Sequence, residues 1–176
     1  MNIFYLNEQP RVSARWLCDK HIPKMLLETC QMLSTALHRQ APHLIKGDSV
    51  YKSAYANHPM TRWVGDSLGN FLWAYDHALE INKEYQYRFG KIHKSERILN
   101  SIAKIKSCIN TEFYNIKAID QTAVPQCMPD QYKDENPVTA YQNYYYHEKK
   151  SFAKWEKGRA KPRWFKQMER ENNAEQ

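Results

Sequence analysis

The sequence predicts an all-α fold, and three features of it carry that expectation. Apolar residues recur at helical spacing through several long stretches, the longest of these (63–89) contains no proline, and no stretch of any length alternates as a strand would. A chain of 176 residues is long enough to bury one core and short for two. A single helical domain is therefore placed over 1–166. The polar segment "QMERENNAEQ" at 167–176 is expected to be a disordered tail.

Taken in order, "VSARWLC" reads as a short separate turn, with a break near Cys18. Leu26, Cys30, Leu33 and Leu37 then follow at helical spacing, flanked by Met25, Met32 and Ala36 on an adjoining stripe. This predicts a helix from just before Pro23 to His38, with the proline in the first turn, where its missing N–H costs nothing. Asp19 is positioned to cap it. "APHLIKGDS" is loop by composition, and Pro59 pushes His58 into extended geometry. A second long helix is expected over 63–89, closed by Gly90, and a weaker third over 96–108. "QTAVPQCMPDQYKDENP" is a proline-punctuated loop, and a last helix is expected over 138–157.

Lysine and arginine outnumber aspartate and glutamate 26 to 19, a net charge of +7. Such a balance favours a polyanionic partner, because each cation that meets a phosphate releases counterions; the competing reading is charge kept for solubility. In residues 139–166 eight lysines or arginines interleave with eight aromatic rings against two acids. Rings that stack on bases and cations that hold the backbone suit nucleic acid. Tyr141, Tyr144, Tyr145, Phe152 and Trp155 also lie at helical spacings that suit core, whereas "KPRWFK" is harder to explain that way.

Four cysteines without a C-x-x-C pair suit a reducing cytosol, so a cytoplasmic location is expected. No apolar run approaches the roughly 20 residues of a membrane span. The first residues do not read as a secretory signal, so the mature chain is expected to begin at Met1 or Asn2. The seven histidines form no H-E-x-x-H or other recognised ligand spacing, and neither a metal nor another cofactor is expected.

The most informative stretch is "DKHIPKMLLE", residues 19–28. Seven residues are almost two helical turns, so His21 and Glu28 fall within about 20° of each other around the axis, just past Met25 and Met32 at the edge of the apolar arc. That edge is where the wall of a cleft would run. The competing reading of Glu28 is a surface pair with Lys24, worth only about 0.2–0.5 kcal/mol. His58, before a proline, is a loop-ordering hydrogen-bonder or a member of the site.

The spacing D-x-H-x6-E, here Asp19, His21 and Glu28, resembles that of the pyrimidine-dimer DNA glycosylases of the endonuclease V type, small enzymes of bacteriophages and some bacteria. The N-H-P element Asn57, His58, Pro59, the stretch "FLWAYDHALEINKEYQYRFG" and the run "KPRWF" are similar to parts of the same family. The resemblance implies a compact helical bundle with the N-terminal segment crossing between helices. It implies a DNA glycosylase with abasic-site lyase activity, acting on damaged or modified pyrimidines in double-stranded DNA as a monomer. The α-amine of the chain would be the nucleophile, supplied by Met1 or Asn2, with Glu28 as the essential carboxylate and His21 beside it. Asn57, His58, Arg62, Lys24, Arg163, Trp164 and Lys166 are the expected DNA contacts.

The chemistry is sensible on its own terms. A typical α-amine has a pKa of about 7.7–8.0, so a useful fraction is neutral and nucleophilic near neutral pH, and a carboxylate beside C1′ can stabilise positive charge and move protons. Three positions depart from the family: Asn2 stands where a threonine is exposed by methionine removal, and Leu27 and Gln31 flank Glu28 in place of arginines. A base-modifying transferase on phage DNA and a non-catalytic DNA-binding protein therefore stay open as alternatives.

Overall fold

A computed structural model describes the backbone of residues 1–114 and 119–174, and the side chains of 1–109 and 119–174. Among these residues every regular element is helical: α1 (Pro10–Trp16), α2 (His21–Gln40), α3 (Pro59–Asp66), α4 (Leu68–Phe89), α5 (Glu96–Tyr114), α6 (Pro137–Lys149) and α7 (Arg163–Ala174). The all-α expectation holds.

The extended N-terminal segment lies inside the bundle. Ile3, Phe4, Tyr5 and Leu6 are buried; Phe4 packs on His21 of α2 and Tyr145 of α6, Tyr5 packs on Trp73 of α4, and the Leu6 carbonyl accepts from Gln142 of α6. The segment therefore crosses between helices, and Met1 and Asn2 are delivered to one fixed place.

The break near Cys18 is present, and Pro23 sits in the first turn of α2. Asp19, however, does not cap that helix: the N-cap position is Lys20, with no side-chain bond. The Asp19 carboxylate instead accepts from Arg88 of α4 at 3.1 Å and from the amides of Glu156 and Lys157 at 2.7 and 3.2 Å. A buried guanidinium and two otherwise free N–H groups give it more than one cap could.

The helix expected over 63–89 is two helices, because Ser67 leaves helical geometry (φ −150°, ψ 160°) and accepts from the Asn70 amide to begin α4. Asn70 in turn donates to the Trp63 carbonyl at 2.7 Å, so the end of α3 is satisfied as well. Gly90, at φ 62°, closes α4 as expected. α5 extends beyond the expected 108 to Tyr114, and α6 ends at Lys149 rather than 157. After Lys149 the chain turns so that Trp155 donates to the Trp16 carbonyl while Asp19 binds the next two amides.

Residues 167–174 are helical, not the disordered tail the composition predicted. Phe165, buried, and Met168, half-buried, share one face of α7 and pack against the core, and Lys161 pairs with Glu169 at 2.6 Å. Two apolar side chains three residues apart make a helical stripe too short to stand out in a polar sequence. Residues 175–176 of the expected tail lie outside the described residues.

A buried charge network joins these parts. Arg88, whose side chain is fully buried, donates to Glu84 and Asp19 and to the carbonyls of Leu17 and Arg15, and Arg159 grips the other side of Glu84 at 2.7 Å. Burial alone would raise the Glu84 carboxyl, but its bonds and charges with Arg159 and Arg88 hold it below its ordinary value.

Candidate active site

The N-terminal segment, the first two turns of α2 and the C-terminal part of α6 enclose a cleft of about 410 Å³. Met1, Asn2, Phe4, His21, Lys24, Met25 and Glu28 line one side, and Lys20, Cys127, Tyr144, Lys149 and Phe152 complete it. The edge of the α2 apolar arc is thus a cleft wall, and His21 and Glu28 both face the cleft.

Glu28 is half-buried, and its Oε2 accepts the Asn2 amide at 2.9 Å and lies 3.8 Å from the Met1 amine. Lys24 does not pair with it within salt-bridge distance among the described ion pairs. Asn2 is held at three points: Nδ2 donates to the Cys127 carbonyl at 3.1 Å, Oδ1 accepts from its neighbour Ile3 at 2.9 Å, and the Tyr141 hydroxyl approaches Oδ1 at 3.4 Å. The Met1 side chain is 3% exposed, and Thr61 of α3 donates to its sulfur at 3.6 Å. An amine so held keeps its position against the carboxylate.

His21 is buried, stacked on Phe4 at 5.0 Å and edge-on to Phe152 at 5.4 Å. Its Nδ1 lies 2.7 Å from the Tyr145 hydroxyl, which already accepts the Cys18 amide and so has its proton free for the ring. Burial, reinforced by Lys149, Lys24 and Lys20, lowers its pKa to about 3. The imidazole is therefore neutral at physiological pH, with its remaining proton on Nε2.

The lysines are part of the same design. Lys20 stands over the Phe152 ring at 4.6 Å and Lys149 over Tyr144 at 5.0 Å, and with Lys24 they all act electrostatically on His21. Cations rim a cleft whose walls are aromatic and whose base holds a carboxylate. Among the described residues no group of three or more histidine, cysteine, aspartate or glutamate side chains could hold a metal ion.

A family model of the pyrimidine dimer DNA glycosylases matches residues 1–96. The chain belongs to that family. No curated protein and no solved structure matches it. The part matched by the glycosylase model spans the buried N-terminal segment and α1 to α4, and it carries Met1, Asn2, His21, Lys24 and Glu28. Cys127, Tyr144, Lys149 and Phe152 lie beyond it.

The other residues expected at the site divide. His58 caps α3, its Nδ1 accepting from Met60 at 3.2 Å, and burial and then the Met1 amine lower its pKa while Glu28 opposes them, so it lies within electrostatic reach of both. Asn57 and Arg62 are exposed near it and do not line the cleft. Trp164 is half-buried, its ring against Trp16 at 6.2 Å and Tyr145 at 6.3 Å, and it does not line the cleft. Arg163 and Lys166 are exposed on α7, away from the cleft lining. Lys149, Tyr144 and Phe152 belong to the basic, aromatic segment legible in the sequence; Cys127 gave no signal.

Among the described residues no helix is long and apolar enough to cross a membrane.

Proposed function

We propose that this member of the family is a DNA glycosylase with abasic-site lyase activity, using the N-terminal amine as nucleophile and Glu28 as its acid–base partner. The observation that carries the reading is the approach of the Met1 amine and the Asn2 nitrogen to one carboxylate oxygen of Glu28, at 3.8 and 2.9 Å, inside the cleft.

In this reading the damaged pyrimidine nucleotide presents its C1′ to the amine. The C1′–base bond breaks and a C1′–N bond forms, the amine giving a proton to Glu28 while the departing base takes one from solvent; the C1′–O4′ bond then opens as the C1′=N iminium forms, and O4′ takes the proton from Glu28. Glu28 stabilises the positive charge on the sugar and on the imine that follows. Removal of a C2′ proton by the same carboxylate then expels the 3′ phosphate by β-elimination, breaking the C3′–O bond. His21, neutral and fixed by Tyr145, shapes and dries the wall instead of supplying a proton. Lys20, Lys24 and Lys149 hold phosphates, with Asn57, His58 and Arg62 along the neighbouring rim.

The test is borohydride trapping with ultraviolet-irradiated duplex and with a duplex containing an abasic site, read by intact mass. A covalent adduct mapped to the first residue is expected, with Glu28→Gln slowing turnover by at least about 100-fold while binding stays within a few-fold. A base lost without an adduct would replace the amine with water, and a base changed in mass without strand loss would replace the glycosylase with a modifying enzyme.

A further inference from the structure

Among the described residues Tyr55 is the one non-glycine with a left-handed backbone, at φ 50°, and its side chain is 69% exposed. Such a conformation is unfavourable for an aromatic residue and persists where the surroundings impose it. The surroundings here are rigid on both sides. Ala54 is bound through both its amide and its carbonyl to the Thr35 hydroxyl, at 3.0 and 3.2 Å, and on the other side the His58 amide returns to the Tyr55 carbonyl at 3.0 Å.

Those anchors lie beside the cleft. Thr35 is seven residues after Glu28 on α2, which places it on the same face about 10.5 Å along the axis. From Tyr55 the chain reaches His58, within electrostatic reach of the Met1 amine and Glu28, and then Thr61, which touches the Met1 sulfur. Ser53, Ala54 and Ala56 flank the ring with small side chains, and residues 49–65 contain Lys52 and Arg62 but no acid. Tyr87, the other strongly exposed aromatic among the described residues, is engaged with the Gly158 carbonyl and Arg159. The Tyr55 ring and hydroxyl have no hydrogen-bond, ring or charge partner among the described residues.

We propose that Tyr55 is a wedge that enters duplex DNA at the base step beside the nucleotide held over Glu28, filling the space that nucleotide leaves. Inserted side chains of this kind unstack a step and kink the duplex, and the cost is offset by the larger protein surface that the bent duplex covers. A ring held by a rigid loop, on an acid-free rim beside the cleft, meets that requirement. The proposal rests on the DNA glycosylase reading.

The experiment compares the full chain with Tyr55→Asn, which tolerates the left-handed backbone, and Tyr55→Phe, which keeps the ring. Two signals are read: fluorescence of 2-aminopurine placed next to an abasic site in duplex DNA, and cleavage of that site in duplex and in single-stranded DNA. The expected result is a fluorescence rise with the natural chain and Tyr55→Phe. For Tyr55→Asn the rise is lost and duplex cleavage slows at least tenfold, while single-strand cleavage is unchanged. An equal rise with Tyr55→Asn, or an equal slowing on both DNA forms, overturns the wedge and leaves the glycosylase reading intact. Absence of cleavage of the abasic site by the natural chain on either DNA overturns the lyase part of that reading, and the fluorescence on binding still reports whether Tyr55 enters the duplex.

Discussion

The Asn2 amide donates to Glu28 Oε2 at 2.9 Å, while the Asn2 side chain is tied to the carbonyl of Cys127 at 3.1 Å. One residue thus links the carboxylate of α2 to the loop before α6. It also sets where any amine at the start of the chain must lie.

Exchanging Asn2 for threonine, behind which the initiator methionine is removed, should move the trapped adduct from Met1 to the introduced threonine, since the nitrogen at that position already touches the carboxylate. The same change removes a methionine side chain that is 3% exposed. A loss of about 2 kcal/mol in stability is expected from the space left behind. Peptide mapping of the adduct and denaturant unfolding check the two halves separately.

Lys20, Lys24 and Lys149 rim the cleft. If each meets one phosphate, single alanine substitutions should each reduce the slope of log affinity against log salt by about 0.9. Arg163→Ala, on α7, should leave the slope of cleft binding closer to that of the natural chain. Fluorescence anisotropy at several salt concentrations measures it.

Burial lowers the His21 pKa to about 3. The unfolded chain therefore binds a proton below about pH 6.5 that the folded chain refuses until near pH 3, so the stability contributed by the neutral ring is complete above pH 6.5 and falls as the pH drops through that window. Between about pH 6.5 and pH 5 the loss is about 1.5 kcal/mol from this group. His21→Phe should flatten that part of the stability profile relative to the natural chain, while its lost bond to Tyr145 lowers stability at neutral pH. Denaturant unfolding across the window checks both effects.

Glu84 is the shared acceptor of Arg88 and Arg159. Replacing it with glutamine leaves the buried Arg88 short of a counter-charge, and a loss of about 3–5 kcal/mol is expected. Because the Glu84 pKa is lowered in the fold, its contribution is present above the ordinary glutamate range and fades as pH falls below it. Thermal unfolding at about pH 7 and about pH 3.5 should show the gap between variant and natural chain narrowing at the lower pH.

What the sequence made legible was mostly local. The strong one-sided period of α2 placed His21 and Glu28 on a common stripe, and the fold turns that stripe into a cleft wall. Ser67 was invisible as a break because apolar residues continue in phase across it; the cap works because Asn70 closes both helix ends. Asp19 was assigned to the nearest helix start, whereas its partner Arg88 lies 69 residues away. The far wall of the cleft was out of reach for the same reason. Tyr144, Lys149 and Phe152 meet the start of the chain only after α6 folds back over it.

That far wall has a consequence for how such a protein can change. The amine, Glu28 and His21 lie within residues 1–96, while Cys127, Tyr144, Lys149 and Phe152 come from the rest of the chain. In the glycosylase mechanism proposed above, the amine with its carboxylate partner and the opposite wall of their cleft are thus written in separate halves of one polypeptide. Substitutions in the second half can reshape that wall while leaving the amine and Glu28 themselves unaltered.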